Sequence, residues 1–358
     1  MQRTLIVALS LVLAGIAGCG GGNLSTTPLT SAPVAYAYAN RVDNGGKIYA
    51  VPAGGSISMP IVLAAAAMND TVGDGFAFDG VTAYYDDDVY YPYTAMLPVT
   101  SLWSAPVSGG TPTMLVTGLA GVDALAVDSQ NVYFVAAIDA PSASVPYFIG
   151  KAPLAGGAYE MLVPTPPARP LRVAATGGFL YWTDDGGNVN RIATAGGVVA
   201  AVATSQARPW YIAADPSGVY WANLGQLADS ERAVDCGSIG GSVAALRSNA
   251  SAPITLASGL DNLRSIAVSA GIVYAALDGT IDCTSYAMTN GQLLRIVPGS
   301  PVVDPTVPGS PVVEVLASGL QQPDNVFADG QTVYYTTNPD WNVTTSVYNV
   351  VPHALGLP

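Results

Sequence analysis

The chain has 358 residues and a formal net charge of −13, from 12 basic and 25 acidic side chains. This excess of negative charge repels phosphate backbones and excludes nucleic acid from the expected partners. Half of the residues are hydrophobic and only 10% are charged, while 39 glycines and 27 prolines are available for turns. Such a composition excludes a disordered chain and favours a large all-β core.

The first 18 residues predict a secretion signal. One positive charge at Arg3 precedes an apolar run over residues 5–17, which is shorter than the roughly 20 residues that a membrane-spanning helix needs. The run ends in Ile16-Ala17-Gly18-Cys19, which resembles the bacterial lipobox. The resemblance implies that residues 1–18 are removed and that Cys19 becomes a lipidated N-terminus. An ordinary signal peptide with an incidental cysteine is the alternative.

Residues 19–33 predict a flexible tether, because they are rich in Gly, Ser, Thr and Pro and show no apolar period. A single folded domain is then expected over residues 34–358. Acyl chains on Cys19 would attach this domain to a membrane without a transmembrane helix. Gly20 stands where a retention signal for the inner membrane would place Asp, so attachment to the outer membrane of the cell envelope is favoured over the inner membrane.

A short unit of β-branched and aromatic residues recurs seven times from residue 34 onward. Its aligned tyrosines are Tyr36, Tyr84, Tyr133, Tyr181, Tyr220, Tyr274 and Tyr334. An inner segment with period two precedes the tyrosine, and a segment ending in a turn and an outer segment follow it, except that the first repeat lacks a clear inner strand and the last lacks a clear outer one. Four short strands in roughly 40 to 50 residues are typical of a β-propeller blade. We therefore predict an all-β propeller of four-stranded blades, with seven blades favoured and six blades with a spare hairpin as the alternative. Residues 345–351 are a candidate strand for closing the ring.

One repeat contains Tyr181-Trp182-Thr183-Asp184, the motif of the YWTD propellers of the low-density-lipoprotein-receptor class, and the flanking pattern also resembles NHL-type propellers. The motif is partly kept at residues 220–223 and 84–87. The resemblance implies that the aromatic pair packs between blades and that Asp184 ties neighbouring strands. It therefore indicates a fold and not an activity.

Catalytic and metal-binding groups are scarce in this sequence. The only histidine, His353, lies five residues from the C-terminus, so a Ser-His-Asp triad is not expected. Apart from Cys19, the only cysteines are Cys236 and Cys283, which fall at matching positions of consecutive repeats and predict a disulfide outside the cytoplasm. No zinc site and no cofactor are predicted. The acidic runs at residues 86–88 and 184–185 are consistent with calcium ligands or with turn and strand caps.

Ligands of propellers bind most often at the mouth of the central channel, near the starts of the inner strands. The aligned candidates there are Asp74, Asp123, Arg172, Trp210, Tyr211, Arg264, Asp324 and Asn325. Trp210 could provide a stacking platform, while Arg172 or Arg264 could bind a carboxylate. The alternative is that these charges solvate the rim or pair with one another.

The favoured function is a monomeric, non-catalytic binding or scaffold lipoprotein whose partner is a protein or a polar small molecule. The alternative is a metal-dependent lactonase or esterase, because Asp324 and Asn325 with Asp123 or Asp74 resemble the metal ligands of gluconolactonase-type propellers. No glutamate occupies an aligned position, which favours binding over catalysis.

Overall fold

The computed structural model describes residues 8–9, 34–39, 47–52, 61–65, 70–78, 81–89, 99–106, 111–138, 146–227, 237–281, 288–299, 312–328, 332–337 and 351–357. Cys19, Cys236, Cys283 and the predicted tether lie outside these residues, as does most of the predicted closing strand. The described part of the chain is all-β, with antiparallel pairing throughout. None of its elements is a helix long and apolar enough to cross a membrane.

The chain divides into two compact units: residues Met1–Pro166 with Pro352–Pro358, and residues Pro167–Val351. In the N-terminal unit, one sheet contains Ala8–Leu9, Val34–Ala39, Lys47–Pro52 and Ile61–Ala65 in that order. The next sheet contains seven strands in sequence order: Asp70–Phe78, Thr82–Val89, Val99–Pro106, Thr113–Val127, Asn131–Ala137, Tyr147–Pro153 and Glu160–Val163. The strand Val351–Gly356 is the last element of the chain.

The seven-stranded sheet joins two repeats through the long strand Thr113–Val127. Its first half pairs with Val99–Pro106, its second half pairs with Asn131–Ala137, and Ala120 has a partner on each side. The outer segment of one repeat and the inner segment of the next are therefore continuous here. Gly118 and Gly121 have φ values of 79° and 62° within this strand, so glycine allows the backbone to change direction between the two halves.

The C-terminal unit repeats one four-stranded arrangement three times. The first sheet contains Pro170–Thr176, Phe179–Asp184, Val189–Ala193 and Ala200–Ala203. The second contains Pro209–Asp215, Gly218–Asn223, Ser242–Arg247 and Ile254–Ser258. The third contains Leu263–Ser269, Ile272–Leu277, Gly291–Val297 and Val312–Leu320, and the hairpin Pro323–Ala328 with Thr332–Thr337 follows it. These are the consecutive antiparallel strands that the repeat predicted.

The second and third of these sheets each carry an additional two-stranded ribbon between their second and third strands. The first ribbon pairs Gln226–Leu227 with Ser238–Ile239, and the second pairs Thr280–Ile281 with Met288–Thr289. Gly225 and Gly279 begin the ribbons with φ values of 76° and 77°, and a Cβ at either position would collide with the opposite backbone. The two ribbons therefore begin in the same way, and in the sequence Cys236 and Cys283 lie between the paired strands of the first and the second ribbon.

The motif aromatics pack as the resemblance implied. Trp182 and Trp221 are fully buried. Tyr181 of the first sheet lies in one core cluster with Val219 and Trp221 of the second. The tyrosine of one sheet thus fills the space beside the tryptophan of the next, which makes the contact between sheets apolar.

Candidate functional site

Six inner segments contain a β-bulge, seen as a shift in their pairing with the following strand; they are the segments that precede Tyr84, Tyr133, Tyr181, Tyr220, Tyr274 and Tyr334. In the C-terminal unit the pairing shifts past Leu171, Trp210, Arg264 and Asn325, which have no residue directly opposite them on the second strand. In the N-terminal unit the pairing shifts past Asp123 and within the segment that contains Asp74. A bulge redirects a side chain away from the sheet and is common next to binding sites. We call these positions the bulge residues.

Most of the predicted rim residues lie at or beside these bulges. Asp74, Asp123, Trp210, Arg264 and Asn325 are skipped by the pairing, Arg172 and Tyr211 follow a bulge residue, and Asp324 precedes one. Asp74 and Asp123 belong to the N-terminal unit, whereas the other six belong to the C-terminal unit. The aligned positions therefore share one backbone feature within each unit.

Arg172 and Trp210 are brought together from two adjacent sheets. The guanidinium carbon of Arg172 lies 6.0 Å from the centroid of the Trp210 ring, and Arg172 Nη1 donates to the carbonyl of Leu171 at 2.8 Å. Thr183 Oγ1 donates to the carbonyl of Trp210 at 2.8 Å. Both Arg172 and Trp210 are partly exposed. Thr183 thus stabilises the bulge at Trp210 in the next sheet. The guanidinium of Arg172 and the indole ring of Trp210 lie side by side at the surface.

Arg264 and Tyr211 have structural partners. Arg264 Nε lies 3.2 Å from Asp278 Oδ2, and the Asp278 side chain is only 4% exposed. The Arg264 guanidinium therefore compensates a buried carboxylate. Tyr211 packs against the main core cluster of the C-terminal unit. These contacts assign Arg264 a structural role in compensating Asp278.

The acidic runs accept hydrogen bonds from nearby turns and strands. Buried Asp184 accepts from the amide of Asn188 at 2.8 Å and from Asn190 Nδ2 at 2.7 Å. Asp185 accepts from the amide of Arg169, and Asp87 accepts from the amide of Ser101, both at 3.0 Å. Within the described ranges, no group of three or more His, Cys, Asp or Glu side chains is arranged to hold a metal ion. These carboxylates thus cap turns and tie strands, as the resemblance implied for Asp184.

Arg208, one residue before the strand Pro209–Asp215, is not among the residues predicted from the sequence. Its backbone is left-handed with a φ of 58°, as are those of Asn262 and Gln322 at the equivalent positions, with φ values of 56° and 45°. Arg208 Nη1 is buried and has no acceptor among the described residues. Left-handed backbone in non-glycine residues is strained and concentrates at functional sites. The only signal in the sequence is the position of Arg208 directly before Pro209.

Asn262 ties the bases of the two ribbons together. Its Oδ1 accepts from the amide of Ser238, and its Nδ2 donates to the carbonyl of Gly279, both at 2.6 Å. The left-handed backbone of Asn262 turns its amide group between the ribbons, and asparagine tolerates this conformation well. This face of the second and third sheets is therefore rigidly built.

His353 lies in the strand Val351–Gly356 and not in an irregular tail. Its side chain is partly buried, and this burial lowers the pKa of the imidazole.

No family model matches the sequence, and no curated protein is similar to it. Solved structures are similar. The tricorn protease aligns with a TM-score of 0.51 at 10% identity, over 90% of this chain and 37% of its own length. The fold is a β-propeller. TolB from Acinetobacter baumannii aligns at 17% identity with a TM-score of 0.47, over 75% of this chain and 61% of TolB. YCF48 bound to D1 peptide aligns at 14% identity with a TM-score of 0.45, over 75% of this chain and 76% of YCF48. At these identities the likeness concerns the fold alone.

Proposed function

We propose that this propeller is a non-catalytic binding lipoprotein that recognises a protein or a polar small molecule with the Arg172–Trp210 pair. The observation that supports this proposal is the 6.0 Å stacking of two partly exposed side chains at neighbouring bulges. Tryptophan and arginine are enriched at the energetic centres of interfaces, because they combine apolar area with directional donors. The hydrogen bond from Arg172 Nη1 to the carbonyl of Leu171 restricts this side chain before binding, and the bond from Thr183 Oγ1 holds the main chain of Trp210. Restriction before binding lowers the entropic cost of binding.

The test compares this pair with a second cation–aromatic pair in the same unit. Arg191 lies 4.8 Å from the Phe179 ring, at strands two and three of the first sheet, and provides a matched control. In quantitative affinity purification, we expect the wild type and Arg191→Ala to capture an envelope component. Arg172→Ala and Trp210→Ala should not capture it. Equal retention by all four proteins contradicts the proposal. Metal-dependent lactone or ester hydrolysis that disappears in Asp324→Ala would establish the enzyme alternative instead.

The proposal includes attachment of the monomeric protein to the outer membrane through a lipidated Cys19. The lipobox-like segment and the glycine-rich tether support this part. Intact-mass analysis of the membrane fraction should show a chain that begins at Cys19 and carries acyl mass. Normal membrane attachment of Cys19→Ser would contradict it.

A disulfide between Cys236 and Cys283 is also part of the proposal. Asn262 joins Ser238 to Gly279 at the bases of the two ribbons, and each cysteine is close in sequence to one of these residues. Closing a loop of this length contributes roughly 3 to 4 kcal/mol in the chain-entropy model. Thiol labelling of the unfolded, unreduced protein should find no free thiols, and two labelled thiols would disprove the bond.

A further inference from the structure

A short sequence occurs twice in tandem between the third and fourth strands of the third sheet in the C-terminal unit. Residues 297–303 and residues 307–313 both read Val-Pro-Gly-Ser-Pro-Val-Val. An acidic residue follows each copy, Asp304 after the first and Glu314 after the second. The end of the second copy lies in the fourth strand, Val312–Leu320. One hairpin therefore contains two nearly identical candidates for the same place in the sheet.

The connection in this hairpin is longer than in the other two sheets by the period of the repeat. On the third strand of each sheet, the residue opposite the aligned tyrosine has a partner on the fourth strand: Arg191 with Ala200, Ala245 with Ile254, and Arg295 with Glu314. Eight residues separate the two partners in the first and second sheets, whereas eighteen separate them in the third. Removal of one copy would restore the length that the other sheets have.

The second copy is the one that pairs in the observed register. Three consecutive pairs hold it on the third strand: Val297 with Val312, Ile296 with Val313, and Arg295 with Glu314. Arg295 Nη1 donates to Glu314 Oε2 at 3.2 Å. These side chains are 30% and 45% exposed, so their ion pair contributes little to the choice of register.

The fourth strand of the third sheet is an exposed edge. Among the described strands, the only one hydrogen-bonded to it within this sheet is Gly291–Val297. Val312, Val313 and Val315 are 60%, 46% and 52% exposed. Because these valines bury little apolar surface, their side chains contribute little to holding the strand in place. A second segment with the same side chains can therefore compete for the edge.

We propose that this hairpin has two registers, ten residues apart in sequence, and that the first copy replaces the second in the minor register. In the minor register, Val302 lies opposite Val297 and Asp304 lies opposite Arg295. The second copy then leaves the edge as an extended segment. This conformational change does not involve the Arg172–Trp210 pair, so its test is independent of the proposed function.

Loop length and one proline act in opposite directions on this equilibrium. The first copy needs only residues 298–301 as its connection, whereas the second copy leaves residues 298–311 between the strands. The shorter loop costs less conformational entropy to close and has a length common in hairpins. Pro305, however, stands where the second copy has Val315, and proline has no N–H to contribute to a strand. Pro305 therefore keeps the first copy in the minority.

Disulfide trapping in the full-length protein distinguishes the two registers. Arg295→Cys is combined with Glu314→Cys for the observed register, with Asp304→Cys for the minor register, or with Thr306→Cys as the control. After treatment with oxidised glutathione, mass spectrometry of proteolytic peptides quantifies each new disulfide. We expect the Glu314→Cys pair to be largely bridged. The Asp304→Cys pair should be bridged at least about fivefold more than the Thr306→Cys pair, because only cross-strand partners meet the separation that a disulfide needs. Equal bridging at residues 304 and 306 would overturn the proposal.

Pro305→Val removes the main difference between the two copies. In this background the Asp304→Cys pair should be bridged at least about threefold more than with Pro305, because loop length then decides the register. Bridging of the Glu314→Cys pair should decrease. Pro308→Val is the matched control, since Pro308 lies outside both paired segments, and it should change neither disulfide. No effect of Pro305→Val, or an equal effect of Pro308→Val, would overturn the proposal.

Deletion of residues 298–307 leaves a single copy and the spacing of the other two sheets. Because the two copies are interchangeable in this proposal, the deletion variant should fold with a thermal midpoint no lower than that of the wild type. Its Glu314→Cys pair with Arg295→Cys should be fully bridged. A lower thermal midpoint would show that the additional residues have a fixed place in the fold and would contradict two equivalent copies.

Discussion

The two ends of the inner strands in the C-terminal unit differ in how completely their polar groups are used. At the far end, where each inner strand turns into the second strand, Asp215 joins three successive sheets. Its carbonyl accepts from Thr176 Oγ1 at 2.9 Å, and its carboxylate accepts from the amides of Ser217 and Gly271, both at 2.8 Å. Ser217 Oγ also contacts the same carboxylate. This end is therefore a closed hydrogen-bonded network.

The starts of the same strands combine bulges, left-handed residues and, at Arg208, a buried donor that has no acceptor among the described residues. Arg208 has both a left-handed backbone and an unused donor there. Since the strands are shared, differences in core packing do not account for the contrast. Left-handed non-glycine residues occur at both ends, at Ala270 in a far turn as well as at Arg208, whereas the register shifts lie toward the strand starts. The far turns are therefore distinguished by the hydrogen bonds that link successive sheets.

The largest effect should follow from Asp215→Ala. The substitution leaves the amides of Ser217 and Gly271 without their acceptor and should lower the free energy of unfolding by about 2 to 3 kcal/mol. Asp185→Ala is the control, because exposed Asp185 accepts from one amide, that of Arg169. Urea unfolding of both variants measures the difference. Equal losses would show that the far turns are not a special source of stability.

Arg264→Ala should cause the next largest decrease in the free energy of unfolding. Unlike the other residues discussed at the strand starts, Arg264 has a stabilising ion pair. The substitution removes the cation from Asp278, which is almost fully buried. We expect the free energy of unfolding to fall by about 1 to 2 kcal/mol, because the buried carboxylate of Asp278 loses its charged partner. The loss is not larger because the Arg264 side chain is 47% exposed and its charge is screened by solvent. In the double variant Arg264→Ala with Asp278→Asn, much of this loss should be recovered. Additive losses in this thermodynamic cycle would contradict the pairing.

Alkaline pH should weaken the far turns through Tyr220. Burial raises the pKa of this phenol, and the charge of Asp215 adds to the increase, although the hydrogen bond with Ser217 opposes it. The folded state therefore favours the neutral phenol. Its contribution is complete below the ordinary pKa of 10.0 and is lost as the pH rises through the folded pKa. Tyr220→Phe should lose about 1 kcal/mol at neutral pH and should show a shallower decline of stability above pH 10.0. An unchanged slope would contradict this assignment.

The smallest effect on stability is expected for Arg172→Ala. Arg172 is partly exposed, and it contacts the Trp210 ring and the carbonyl of Leu171. The free energy of unfolding should change by no more than about 0.5 kcal/mol. Thermal unfolding of Arg172→Ala and Arg264→Ala side by side would check that Arg172→Ala has the smaller effect on stability. A larger loss for Arg172→Ala would indicate a structural role and would weaken the case for a binding residue.

The sequence pattern predicted the existence of the strands more accurately than the residues at which they begin and end. The strand Phe179–Asp184 contains the predicted Tyr181 and Trp182. The outer segment predicted after Tyr84 and the inner segment predicted before Tyr133 instead belong to one strand, Thr113–Val127. Alternation with period two depends on neighbouring side chains and is visible in the sequence. Whether two segments join depends on the partners at their edges, which come from elsewhere in the chain.

The sequence by itself determined the all-β repeat and the alignment of its inner strands, because tyrosine spacing, strand period and turn residues are properties of short segments. That alignment was sufficient to select Trp210 and Arg264 before their bulges were known. The contact of Arg172 with Trp210, the pairing of Arg264 with Asp278, and the lack of a partner for Arg208 Nη1 and Asn223 Oδ1 among the described residues depend on tertiary structure. The physical reason is that stacking, charge compensation and the satisfaction of buried polar atoms depend on groups from different strands, whose positions are established only when the sheets pack together.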